Sequence, residues 1–163
     1  VVARGSTWIE VGAGVGEHAI ALAHAIGPGG RLWLGETSPT RSRMLANNVR
    51  AQGIAWAAPL PSTRIDALPL ERLDGLKVAD PASAVAVLDG ATAALARWKP
   101  LVVIACDLAD IEALDDRLVA AGYRTRRIEV PWFSRANYHR RADDVLGGRS
   151  LHALLAGEHP RWP

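Results

Sequence analysis

The chain has 163 residues, 49% of them hydrophobic, and a formal net charge of +2. That length suits one domain, which buries roughly two-thirds of the surface its unfolded chain would expose. A charge so near zero, beside a pI of about 9.1, carries no argument for a nucleic-acid partner. Lys77 and Lys99 are the only lysines, so 17 of the 19 basic residues are arginine; with so much alanine this reads as a coding bias. Cys106 is the only cysteine, which excludes an internal disulfide and predicts a reducing, cytoplasmic location. No apolar run reaches the length of a membrane span, and no signal peptide is visible. The chain opens on Val1 and enters its first strand almost at once. We therefore expect a single domain over 1–163 that lacks an upstream segment.

Thr7-Trp8-Ile9 is β-branched and aromatic and reads as a short buried strand. Glu10-Val11-Gly12-Ala13-Gly14-Val15-Gly16 follows, then an alanine-rich helix from Glu17 to Ile26, stopped by Gly27-Pro28-Gly29-Gly30. Arg31–Gly35 is the second strand and ends on Glu36. Ser38-Pro39 signals a helix start, and Thr40–Gln52 puts Met44, Leu45 and Val49 on one face. Ile54–Ala58 reads as a short third strand, Pro59–Pro69 as turn-rich, and Leu73–Ala79 as the fourth strand with Asp80-Pro81 at its end. Ala84–Trp98 is a helix ended by Lys99-Pro100. Leu101–Cys106 is a continuous apolar run, hence a buried parallel strand, with Asp107 at its end. A helix over Ile111–Ala121 and a last strand pair, Tyr123–Val130 and Ser150–Ala156, complete the chain, with the loop Pro131–Arg149 between those strands.

This alternation predicts an α/β domain: a doubly wound, mostly parallel sheet with helices on both faces and an antiparallel pair at the C-terminal end. Ligands of such sheets bind beyond the carboxyl ends of the strands. Gly12, Glu36, Asp80 and Asp107 are therefore expected along one rim.

Strand, glycine turn and helix form the first unit of a nucleotide-binding sheet. Alternate glycines allow a sharp turn and let a ligand approach without meeting a Cβ. From Gly16 to Glu36 is 20 residues, the spacing of the acid that holds ribose hydroxyls. The dinucleotide fingerprint is G-x-G-x-x-G, but here the third glycine comes one position early and Glu17 takes its place. A carboxylate there opposes a pyrophosphate, so the loop suits a nucleoside ligand without phosphates. Glu-x-Gly-x-Gly-x-Gly with a strand-end acid resembles motif I and its partner in class I S-adenosylmethionine-dependent methyltransferases.

Over nearly its whole length the chain resembles the FkbM-type branch of that family. The matches are Glu36-Thr37-Ser38-Pro39, Leu45-Ala46-Asn47-Asn48-Val49, Asp66-Ala67-Leu68, Leu76-Lys77-Val78, Leu88-Asp89-Gly90-Ala91, Trp98-Lys99-Pro100, Asn137-Tyr138 and Gly147-Gly148-Arg149-Ser150-Leu151, in the family's order. The resemblance implies S-adenosylmethionine as cofactor and methyl transfer to a hydroxyl of a small molecule of sugar or natural-product type. It implies that Glu10, Gly12, Ala13, Gly14 and Gly16 bind the cofactor, the glycines near its methionine part, and that Glu36 takes the ribose hydroxyls. Two features depart from the family. Ala79-Asp80-Pro81-Ala82 replaces an Asp-Val-Glu-Gly-like signature, and the stretch between Gly53 and Asp66 is short where the family places a loop that contacts adenine.

An alcohol acceptor needs a base within hydrogen-bond reach. The candidates are Asp80, Asp107, His18 and His139. Asp80-Pro81 also reads as a turn starter and Asp107 as an N-cap, and these are the readings we favour. His18 and His24 are six apart, off one helix face, so no metal pair is expected. Cys106 reads as core. Between Trp132 and Arg149, aromatics interleave with Arg135, Arg140 and Arg141, which suits an acidic or phosphorylated acceptor. A solvated lid with Arg140 and Arg141 paired to Asp143 and Asp144 reads equally well. No recognised nucleic-acid module is present. Three functions compete: an active methyltransferase, a catalytically silent binding or scaffold domain of the same fold, and a nicotinamide-dependent oxidoreductase, which the glycine spacing and Glu17 oppose.

Overall fold

Strand β1 (Thr7–Val11) is buried on both sides, with Ile9 and Val11 facing one layer and Trp8 and Glu10 the other. A strand of that kind belongs in the middle of a sheet. In the computed structural model, which describes residues 2–131, 143–144 and 150–157, β1 lies between β2 (Arg31–Gly35) and β4 (Gly75–Val78), parallel to both. Strand β3 (Ala57–Pro59) extends the sheet beyond β2, and β5 (Leu101–Cys106) extends it beyond β4, again in parallel. Strand β7 (Ser150–Gly157) runs antiparallel to β5, and β6 (Arg124–Pro131) antiparallel to β7. The described residues thus form a seven-stranded sheet in the order β3-β2-β1-β4-β5-β7-β6. Its strand order reverses between β1 and β4, where such sheets open a crevice above their carboxyl ends.

Two cores follow from the alternation of side chains along the strands. Ile9, Val11, Leu76, Val78, Val102 and Ile104 pack with α3 (Ala84–Asp89), α4 (Thr92–Trp98) and α5 (Ile111–Ala120). Trp8, Leu32 and Leu34 pack with α1 (Ala19–Ile26) and α2 (Pro39–Ala51). Helices on both faces, the parallel centre and the antiparallel end all match the expected class. Cys106 is buried, and burial together with the neighbouring Asp107 carboxylate pushes its thiol pKa up, as befits a core residue. Among the described residues no helix is long and apolar enough to cross a membrane.

Several boundaries differ from the sequence expectation. The first helix starts at Ala19, not Glu17, because Gly14 and Gly16 have positive φ, at +60° and +104°, and the loop closes on itself through Gly16 N–H to the Ala13 carbonyl. The third strand is Ala57–Pro59 rather than Ile54–Ala58, and the fourth is Gly75–Val78 rather than Leu73–Ala79. Met44 is 48% exposed although Leu45 is buried, so the apolar face of α2 is narrower than the spacing implies. The single helix expected over Ala84–Trp98 is two helices broken at Gly90-Ala91. Asp66, on a separate 3-10 turn, receives the Ala93 and Ala94 N–H groups on its carboxylate at 2.9 and 2.8 Å and so caps α4. The Gly90 carbonyl accepts from Asp66 N–H at 2.8 Å, which fixes the break.

Trp8 packs against Gly75, and a Cβ at Gly75 would stand 2.2–2.3 Å from three of its indole carbons. Gly75→Ala should therefore shift either β4 or the buried indole and cost about 1–3 kcal/mol. A urea unfolding curve with a lowered midpoint and unchanged slope checks this.

Candidate functional site

The site is built where β1, β2 and β4 end together. Beyond β1 the chain turns on the Gly35 carbonyl, which accepts the N–H groups of both Gly12 and Ala13 at 2.8 and 3.0 Å. Gly12 has φ +78°, and a Cβ there would stand 2.7 Å from both the Cβ and the backbone nitrogen of Asp80. Gly16 has its would-be Cβ 3.1 Å from Leu45 Cδ1, and Gly14 has its own 3.2 Å from Glu17 Oε2. At Gly12 and Gly16 the absent side chain serves the fold itself. There the missing Cβ makes room for the protein's own β4 end and α2, and the positive φ makes the turn.

Glu36 completes the loop. Its Oε2 accepts the Gly14 N–H at 3.0 Å, and its Oε1 accepts the Ser38 N–H at 2.8 Å and Arg41 Nε at 3.1 Å. The carboxylate side chain is only 2% exposed. Burial alone raises its pKa, but the Ser38 N–H, the Arg41 guanidinium and the Gly14 N–H together outweigh burial and hold it below the ordinary value. The N–H groups of Gly12, Ala13, Gly14 and Gly16 are all spent inside the protein. A pyrophosphate cradle needs such groups free. Asn48 Nδ2 donates to the Val15 carbonyl at 2.8 Å, so α2 clamps the loop from its outer side.

Below the loop, on β1, Glu10 is 1% exposed and faces its register partner Lys77 on β4. Lys77 Nζ donates to Glu10 Oε1 at 2.5 Å. Glu10 Oε2 is buried with no hydrogen-bond partner among the described residues. An orphaned buried carboxylate oxygen is costly and calls for a donor. Lys77, Arg41, Ser38 and Asn48 were not singled out as site residues from sequence. Ser38, Asn48 and Lys77 lie inside motifs already noted there, but the pairing of Lys77 with Glu10 arises only through strand register.

Asp80 stands at the rim, half-buried beside Gly12. Its carbonyl accepts from Ser83 N–H and Oγ at 3.1 and 2.9 Å, so the turn reading of Asp80-Pro81 holds, while its side chain caps nothing. Asp107 is exposed beyond β5 and is not the N-cap. That position belongs to Asp110, because a turn from Asp107 O to Asp110 N–H delays the helix to Ile111. His18 occupies the N-cap position of α1 rather than its interior. His139 and the arginine- and aromatic-rich stretch lie outside the described residues, apart from Asp143 and Asp144. Among the described residues no group of three or more His, Cys, Asp or Glu side chains could hold a metal. An apolar cavity of about 440 Å3 lies elsewhere, between α2 and β3, and is lined by Leu34, Leu45, Val49, Ile54, Ala57 and Pro59. None of the loop glycines lines it, nor does Glu36.

The fold is that of class I S-adenosylmethionine-dependent methyltransferases. An S-adenosylmethionine-dependent O-methyltransferase from Thermotoga maritima superposes with a TM-score of 0.76 at 17% identity, covering 99% of this chain and 62% of its own length. A precorrin-6y C5,15-methyltransferase from Geobacter metallireducens gives 0.70 at 13% identity, covering 96% of this chain and 82% of that one. Fibrillarin from Aeropyrum pernix, solved with natively bound S-adenosylmethionine, gives 0.66 at 21% identity, covering 96% and 68%. No family model matches the sequence, and no curated protein matches it. The FkbM-type resemblance therefore rests on the motifs alone.

Lys77→Met would leave the Glu10 carboxylate buried without a counter-charge and should cost about 3–5 kcal/mol, while Glu10→Leu combined with Lys77→Met should recover most of that loss. Denaturant unfolding of the three variants checks both statements. Glu36 has a lowered folded pKa, so its stabilisation is complete above the ordinary value of 4.5 and is lost as pH falls through the lower folded value. The stability difference between the natural chain and Glu36→Gln should shrink over that acid range, read from urea midpoints at successive pH.

Proposed function

We propose that this domain binds S-adenosylmethionine and transfers its methyl group to a hydroxyl of a small molecule. The observation that carries this is the loop whose N–H groups are spent internally while carboxylates surround it: Glu36 at Gly14, Glu17 against the same glycine, and the free Oε2 of Glu10 below. Such a site suits hydroxyls and positive charge, and it disfavours phosphate. The match to a methyltransferase fold and the motif I resemblance support the same ligand.

When bound, S-adenosylmethionine supplies a methyl group on a positively charged sulfur, which passes in line to a nucleophilic oxygen. Glu36 would accept from a ribose hydroxyl. Glu10 would offer its unpartnered oxygen to the ammonium of the methionine part. Gly12, Ala13, Gly14 and Gly16 would form the floor. Asp80, half-buried beside Gly12, is the candidate base among the described rim carboxylates. It would take the acceptor's proton as the oxygen attacks, and so keep the charge balanced. Asp107, which caps no helix, is the more exposed alternative. The acidic or phosphorylated nature of the acceptor rests on sequence alone. A second reading, a domain that binds the cofactor without transfer, is favoured by the loss of the acid signature at Ala79–Ala82.

Calorimetric titration separates these. S-adenosylmethionine should bind and NAD should not, and Glu36→Ala should weaken binding by at least about tenfold. Binding of NAD in preference would overturn the proposal. Binding without methyl transfer to any sugar or phenolic acceptor tried would leave the silent domain as the better reading.

A further inference from the structure

Resting on the cofactor reading above, we infer that Arg41 is a positioning residue for Glu36, and that it selects which carboxylate oxygen meets the ligand. A carboxylate has about four acceptor sites, two on each oxygen. At Glu36, Oε1 accepts the Ser38 N–H at 2.8 Å and Arg41 Nε at 3.1 Å, so its two sites are used, and Arg41 Nη2 stands 3.0 Å away as the ion-pair contact. Oε2 receives only the Gly14 N–H and keeps one site. The oxygen with capacity to spare is thus the one beside the glycine loop.

The device is local and closed. Glu36 ends β2, Ser38 is the N-cap of α2, and Arg41 lies in the first turn of that helix. Ser38 Oγ accepts the Arg41 N–H at 3.4 Å while the Arg41 side chain folds back onto Glu36. Arg41 is 57% exposed, so its guanidinium is not there for packing. Among the described residues Arg41 is the cation paired with Glu36, while Lys77 pairs with Glu10 and the Glu17 and Asp80 carboxylates stand near the loop glycines. Without Arg41, the buried carboxylate would keep two backbone donors, one on each oxygen, but Oε1 would regain a free site and the carboxylate would lose its cation.

The test uses the whole chain with Arg41→Ala and Arg41→Lys, S-adenosylmethionine as probe, and calorimetry from pH 4 to 8. Arg41→Ala should bind about three- to tenfold more weakly at neutral pH. Its affinity should also begin to fall at a higher pH than in the natural chain, because the carboxyl then protonates more readily. Arg41→Lys, with the charge but without the planar guanidinium, should restore the pH profile more fully than the affinity. In the ligand-free protein, the Glu36 carboxyl followed by carbon NMR, with Glu36→Gln for assignment, should titrate at higher pH in Arg41→Ala. Equal affinity and an equal pH profile in Arg41→Ala overturn the inference, and so does a Glu36 titration that the substitution does not move. Failure of the natural chain to bind is a separate result, visible before any variant is made. It removes the cofactor reading and this inference with it.

Discussion

One carbonyl oxygen, that of Gly35, sets the site. It takes the N–H groups of both Gly12 and Ala13, which bends the chain away from the end of β1 and lays it across the end of β2. The bend needs φ +78° at residue 12, and it brings that backbone so close to Asp80 that no Cβ fits between them. Once the turn is made, the rest follows by contact. Gly14 presents its N–H to Glu36, Val15 its carbonyl to Asn48, and Gly16 its bare face to Leu45. Strand β2 and helix α2 thus shape the loop as much as β1 and α1 do.

The distribution of polar capacity then decides what the loop can hold. Four consecutive or near-consecutive N–H donors are satisfied by the protein, so little positive potential remains for a phosphate. Acceptor capacity is left over instead, on Glu36 Oε2 and, deeper, on Glu10 Oε2. Lys77 compensates one oxygen of Glu10 and leaves the other unpartnered. A buried charge pair of this kind adds little net stability. Its incomplete satisfaction makes more sense as a provision for a donor than as a structural strut.

Much of this was legible in the sequence, because it is written in short-range patterns. The strand, glycine turn and helix order, the acid ending β2, the apolar run of β5 and the antiparallel close all follow from periodicity and punctuation within ten or so residues. What escaped were features set at a distance. The break at Gly90 depends on Asp66, some two dozen residues earlier, offering its carboxylate to α4. The Glu10–Lys77 pair depends on the parallel register of β1 and β4. Glu17 reads as helical from its neighbours, but two glycines with positive φ hold back the helix until Ala19. Asp107 reads as a cap because Asp is a good capping residue, yet the chain makes one more turn before its helix begins. In each case a tertiary contact, a backbone sign or an extra turn overrode a sound local preference.

Among the described residues the two margins of the sheet are unlike each other, yet both resist recruitment by a stray strand. On one side β3 is only three residues long and closes on Pro59, which has no N–H to offer a newcomer. On the other, β6 is longer but carries exposed Arg124, Arg126 and Arg127 and ends on Pro131. Bringing a second such strand alongside would set the Arg124 and Arg126 charges against their like and desolvate them. A domain nearly half hydrophobic is thereby guarded against sheet-to-sheet polymerisation at both described borders, through brevity at one and repulsion at the other.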